Sequence, residues 1–248
     1  MRKAGFTLIE LLVVIAIIAM LAAFIFPVFV QARTAVQIMG VGRAGKQIYT
    51  ATSLYQADYD DTFPLALYWD GFKYQTWFGT QKQGQTYDST KGFLAPYKKG
   101  ILGSDPSLVA QDLMGDDLGI GYNWGVIGSD FHETGNYSQF PNCTGAANSS
   151  VLTDTSKTVV FATSAFYSVP WLGGDGKKNK FNFFDPMEFW NGNPNVDFRH
   201  RDIPKLDTQT QRVTSKGSAT FIFADGNTRN LKQDQLKADW FWRYPLNQ

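Results

Sequence analysis

The chain opens on a long apolar run interrupted by a single carboxylate, and its pattern then changes twice. Residues Phe6 to Val30 read FTLIELLVVIAIIAMLAAFIFPVFV, and about 20 such residues suffice to cross a bilayer as a helix. From Gln31 to about Tyr55 polar residues enter, while Ala32, Val36 and Met39, then Ala44, Ile48, Ala51 and Tyr55, recur at helical spacing. The helix is therefore expected to continue as a stalk over residues 31–57. Gly40, Gly42 and Gly45 each cost about 1 kcal/mol relative to alanine, so a soft stretch is expected there. Asp58-Tyr59-Asp60-Asp61 and then Pro64 close the pattern, because proline biases Phe63 away from helix.

Beyond Pro64 the helical period disappears and short runs rich in β-branched and aromatic residues alternate with Gly, Asn and Asp. Residues 58–248 are read as one mostly β globular head. Its clearest strands are Thr158 to Ala162 and Ala219 to Ala224, with Asp225-Gly226 supplying a tight turn and Asn227 to Leu231 returning alongside. Asp202 to Lys216 is polar and weakly patterned, and reads as a surface loop that interrupts the sheet. The expected fold class is α+β, with a long N-terminal helix packed on a mostly antiparallel β head.

Charge orients the apolar run. Arg2 and Lys3 precede it, and the positive-inside bias keeps the extreme N-terminus cytoplasmic while the head is exported. A conventional signal peptide has a shorter apolar core before a small-residue cleavage site, for which Ala22-Ala23-Phe24 is the candidate here. A plain signal anchor is the other alternative. Glu10 weighs against both, because an ionised carboxylate in hydrocarbon is costly unless something neutralises it. A cut before Phe6 would place a new α-ammonium one helical turn from Glu10, and a neighbouring copy's ammonium could reach the same carboxylate. Pro27 removes one helical hydrogen bond within the run and is read as a weak point that packed neighbouring helices tolerate.

The segment Gly5-Phe6-Thr7-Leu8-Ile9-Glu10 resembles the class III signal of the type IV filament superfamily, the type IV pilins and the pseudopilins of type II secretion. The resemblance implies a pilin-like fold. It also implies a leader of residues 1–5, cleavage between Gly5 and Phe6 by a prepilin peptidase that methylates Phe6, and residues 6–30 as the transmembrane and later filament-core helix. Glu10 then registers each subunit against the next, and the family carries a proline where Pro27 stands. The implied partners are the peptidase/methyltransferase, inner-membrane lipid, and other copies or other pilins in a filament. The implied location is the bacterial inner membrane, then a cell-surface or periplasmic filament.

The head resembles the DUF1559-type prepilin-like proteins. The matching pieces are Lys46-Gln47-Ile48, Tyr55 to Pro64, Gly121-Tyr122-Asn123 and Phe223-Ala224-Asp225-Gly226. Many of those proteins place a histidine shortly before the Asp-Gly, whereas His200 lies far upstream here and Asn227 stands where a second histidine is usual. Two cysteines frequent in that group are replaced by Val41 and by Asp105 of Asp105-Pro106-Ser107. Their joint absence fits residues that normally pair.

Little else points to chemistry. The net charge of +1 offers no field for a phosphate backbone, so nucleic acid is not an expected partner. The single cysteine, Cys143, excludes an intrachain disulfide, leaving packing by the aromatics to hold the head. Asp58, Asp60 and Asp61 are weak calcium candidates by residue type, because acidic residues after a helix are usually a solvated stop signal; no cofactor is otherwise expected. His132 and His200 with one cysteine make no ordinary zinc set, and no nucleophile elbow occurs, so an enzyme is not expected. Gly173-Gly174-Asp175-Gly176 lacks the rest of a phosphate loop, and the sequons at Asn136, Asn142 and Asn148 read as a polar surface loop. A filament subunit is the leading function. The alternative is a surface-binding carbohydrate or adhesion module, with Trp69, Trp77, Trp171 or Trp190 stacking on sugar rings.

Overall fold

The computed structural model describes residues 7–82, 85–98, 100, 102, 105, 107–108, 111–112, 118–138, 140–167, 178–185, 196–202, 205–206 and 213–243. Helix α1 spans Leu8–Asp58 without a break. The strands are β1 Leu67–Trp69, β2 Lys73–Thr76, β3 Thr80–Lys82, β4 Gln111–Asp112, β5 Ile120–Asn123, β6 Val159–Thr163, β7 Ala165–Tyr167, β8 Lys178–Lys180, β9 Phe183–Phe184, β10 Lys205–Leu206, β11 Val213–Thr214, β12 Ser218–Phe223 and β13 Thr228–Lys232. The central sheet has the order β13-β12-β6-β5-β9, antiparallel except for the parallel pair β5–β9. The α+β class with a mainly antiparallel head is thus the observed one.

The head covers only the second half of α1. Val41, Ala44, Gly45, Ile48, Ala51, Thr52 and Tyr55 are buried, and Ile222 of β12 belongs to the same core. Ala32, Val36 and Met39 continue the helical period but stay outside the core, with Val36 67% and Met39 63% exposed. Helix runs through all three glycines of the stretch Gly40 to Gly45. A Cβ on Gly45 would stand 2.7 Å from Ile222 Cγ1, so the missing side chain is what lets helix and sheet approach. Propensity lost at this glycine is offset by the backbone packing it permits.

Strand β12 is buried at every position and lies between two clusters of the core. On one side is the helix; on the other, Ala219, Phe221 and Phe223 meet Phe184, Phe198 and Phe241. This two-sided burial explains an apolar run without alternation. Strand β13 returns antiparallel from Thr228 to Lys232, as the hairpin reading requires. The connection is longer than a two-residue turn and runs over residues 224–227. Asp225 Oδ1 accepts the Asn227 N–H at 2.9 Å, and Gly226 takes a left-handed φ of +81°. The Tyr49 ring of α1 packs under Gly226, and its hydroxyl donates to the Ala224 carbonyl at 3.3 Å.

Two pieces that carried the resemblance of the head are internal ties. Tyr122 OH donates to the Pro64 carbonyl at 2.8 Å, and Asn123 Nδ2 donates to the carbonyls of Val159 (3.1 Å) and Phe241 (2.9 Å). The expected loop at Asp202 to Lys216 is corrected in part: β10 and β11 within it pair antiparallel, Lys205 with Thr214 and Leu206 with Val213. Asp202 Oδ2 closes its base by accepting the Lys216 N–H at 2.6 Å and the Ser215 hydroxyl at 2.9 Å.

Candidate functional site

The first turn of α1 is built by two side chains. Thr7 is the N-cap in extended backbone (φ −82°, ψ 151°), and its hydroxyl oxygen accepts the Glu10 N–H at 3.3 Å. In return Glu10 Oε2 accepts the Thr7 backbone N–H and the Thr7 hydroxyl, both at 2.8 Å. This is a reciprocal capping box, which satisfies donors that a helix leaves open at its start. It matters more in lipid, where no water can replace the partner. Glu10 therefore has local donors before any ammonium reaches it. Thr7 is the partner of Glu10 that charge reasoning passed over. The Thr-x-x-Glu spacing at residues 7–10 was the available signal.

Gly5 and Phe6 lie outside the described residues. Glu10 is the one charged side chain between Phe6 and Val30, and every residue of α1 from Leu8 to Arg33 is exposed. By length and composition α1 can cross a membrane. Helix continues through Pro27, so the single chain holds its shape there despite the lost N–H.

The acidic trio does not converge. Asp58 ends α1 and its Oδ2 accepts the Tyr97 hydroxyl at 2.8 Å. Asp60 and Asp61 take left-handed φ values of 49° and 59° and turn the chain. Their carbonyls accept from Asn148 Nδ2 and from the Ser149 N–H (2.9 Å) respectively. Among the described residues no group of three or more His, Cys, Asp or Glu side chains is placed to hold a metal ion.

Both histidines and the cysteine are enclosed by the head. His132 bonds Tyr137 OH through Nδ1 at 2.6 Å and Asp185 Oδ1 through Nε2 at 2.7 Å, directly over Gly125, where any Cβ would collide with the ring. His200 is buried against Thr220 Oγ1 at 3.1 Å, and burial pushes its pKa down. Cys143 is buried, and burial pushes its thiol up to about 11. The sequon segment is only partly surface: Asn136 is exposed, but Cys143 and Ala147 thread into the core. Asn142 Oδ1 accepts the Trp69 N–H at 2.7 Å.

Of the four tryptophans offered for stacking on sugars, Trp77 is corrected. It is fully buried, and its indole N–H donates to the Asn182 carbonyl at 2.9 Å. Trp69 is half-buried, and Trp171 and Trp190 lie outside the described residues.

A buried ionic cluster went unread in the sequence. Arg199 Nε donates to Asp105 Oδ2 and Nη1 to Asp197 Oδ2, each at 2.8 Å, and Nη2 to the Gly119 carbonyl at 2.6 Å. Lys178 adds a second cation on Asp197. Two cations and two carboxylates balance, which makes the burial tolerable.

Residues 1–26 match the family described as the prokaryotic N-terminal methylation motif. The match supports a prepilin-like class III signal at the N-terminus, and the apolar helix agrees with membrane anchoring. No curated protein and no solved structure matches the chain.

Proposed function

We propose that this chain is a structural subunit, major or minor, of a type IV pilus-like or type II secretion filament. Prepilin peptidase cuts it between Gly5 and Phe6 and methylates Phe6. Residues 6–30 lie in the inner membrane and then in the filament core, residues 31–57 form the stalk, and residues 58–248 are the exported head. Its partners are the peptidase, lipid, and other copies or other pilins. The reading requires neither a cofactor nor catalysis by the head.

The observation that carries it is the division of α1. The head buries the helix only from Val41 onward, while Leu8 to Val30 is continuous, uncovered and apolar but for Glu10. Such a surface needs lipid or other helices around it. In a lone anchor Glu10 would serve only as a helix cap, whereas a neighbour's ammonium also neutralises its charge in lipid. The capping box at Thr7 holds the carboxylate ready at the helix start, where that ammonium would arrive.

The test is Glu10→Ala followed by imaging of cells. The variant is expected to insert in the membrane and to fail in assembly, because the partner's ammonium is left unpaired in lipid. Normal filaments would contradict the pairing.

A further inference from the structure

The chain carries three Asn-x-Ser/Thr triplets, beginning at Asn136, Asn142 and Asn148, and each is a formal acceptor for an N-linked sugar in an exported domain. The fold treats them differently. A sugar attaches at the carboxamide nitrogen, so the acceptor needs that nitrogen unengaged and open space around it for a bulky, hydrated group.

Asn148 fails on the first count. Its Nδ2 donates to the Asp60 carbonyl and, at 3.3 Å, to Thr62 Oγ1, which ties it to the turn that follows α1. Asn142 fails on the second. It is half-buried with its Oδ1 on the Trp69 N–H at 2.7 Å, and Cys143, the middle residue of its triplet, is buried with its N–H on the Leu67 carbonyl at 3.0 Å.

Asn136 passes both. The short helix α2, Phe131–Thr134, ends at Gly135 in left-handed backbone (φ +66°), and every residue from Glu133 to Ser138 is exposed. Among the described residues the Asn136 Nδ2 donates to none. Its Oδ1 accepts the Ser138 hydroxyl at 2.6 Å and the Ser138 N–H at 3.2 Å, so the two residues that define the acceptor stand side by side at the surface. Between them Tyr137 is anchored: its hydroxyl bonds His132 Nδ1 at 2.6 Å and its ring packs 5.6 Å from Phe131. That anchor fixes the triplet outside the core and leaves the nitrogen free. Tyr137 and Phe140 nevertheless stay 38% and 56% exposed, and the Phe140 N–H on the Tyr137 carbonyl at 3.0 Å keeps the two together, so a first sugar has ring faces to cover.

We propose that Asn136 is an N-glycosylation site, modified after export from a lipid diphosphate-linked oligosaccharide. In the transfer Nδ2 forms a bond to C1 of the first sugar. The bond from C1 to the diphosphate oxygen breaks, its electron pair leaves with the lipid diphosphate, and Nδ2 gives up one proton to a base of the transferase. The proposal rests on the exported placement of the head.

The test is mass spectrometry of the full-length protein isolated from its own cells, with electron-transfer fragmentation to place any sugar on its residue and with the N-terminal peptide read in the same run. The expected result is a glycan on Asn136 and none on Asn142 or Asn148. Asn136→Gln and Ser138→Ala, both at exposed positions, should lose the glycan completely, and Ser138→Thr should keep it. A bare Asn136 on a chain that begins at methylated Phe6 overturns this proposal and leaves the filament reading standing. A bare Asn136 on a chain that retains Met1 overturns both. Sugar on Asn142 or Asn148 in place of Asn136, sugar on a Ser or Thr hydroxyl instead of the carboxamide, or a glycan that survives Ser138→Ala also overturns it.

Discussion

Arg199 and Asp105, 94 residues apart in sequence, are joined by a 2.8 Å ion pair from which water is excluded. The same guanidinium holds Asp197 at 2.8 Å, so one side chain bridges two buried carboxylates, with Lys178 supplying the second positive charge. Arg199→Met should leave Asp105 uncompensated and Asp197 with Lys178 alone, and destabilise the head by about 3–5 kcal/mol, read as a drop in the urea midpoint. A change below about 1 kcal/mol would mean that Lys178 alone suffices.

The glycines of the stalk should respond in opposite directions. A Cβ on Gly42 meets only Thr228 Cγ2 at 4.0 Å, so Gly42→Ala should stabilise by about 0.5–1 kcal/mol through helix propensity. Gly45→Val drives into Ile222 and should cost about 1–3 kcal/mol. Thermal melting of the two variants checks the sign of each.

His200 should make stability fall in mild acid. Burial lowers its folded pKa, so between the folded and unfolded values the unfolded chain binds more protons. Its contribution is therefore complete above the unfolded value of about 6.5 and is lost as pH falls through the folded value. Asp88 and Asp154, held near about 2 by Lys91 and Lys157 respectively, act only at lower pH. Melting temperatures at pH 7.5 and 5 should differ less in His200→Gln than in the native chain.

Cys143 should be nearly inert while the head is folded. With its thiol pushed up to about 11, reaction with a maleimide at pH 8 should be at least about a hundredfold slower than in urea. Rapid labelling without denaturant would contradict the burial.

The parts legible in the sequence share a short range. The period of Ala44, Ile48, Ala51 and Tyr55 marks the buried helix face, and Asp225-Gly226 marks the hairpin, because each depends on neighbours a few residues away. The same period carried through Val36 and Met39 misleads, since periodicity cannot say where the head begins to cover the helix. Trp77 and Trp69 look alike as residues; only the topology decides that one is core and the other rim. The Arg199 cluster was illegible because it joins four separate segments. Thr7, by contrast, was legible: the capping spacing was present, and the membrane argument for Glu10 drew attention past it.

The central claim concerns the N-terminus, and mass spectrometry of the protein isolated from cells tests it most directly. The account predicts a mature chain that begins at Phe6 and carries one added methyl group on its α-amine. A chain that retains Met1, or begins anywhere other than at methylated Phe6, would contradict it.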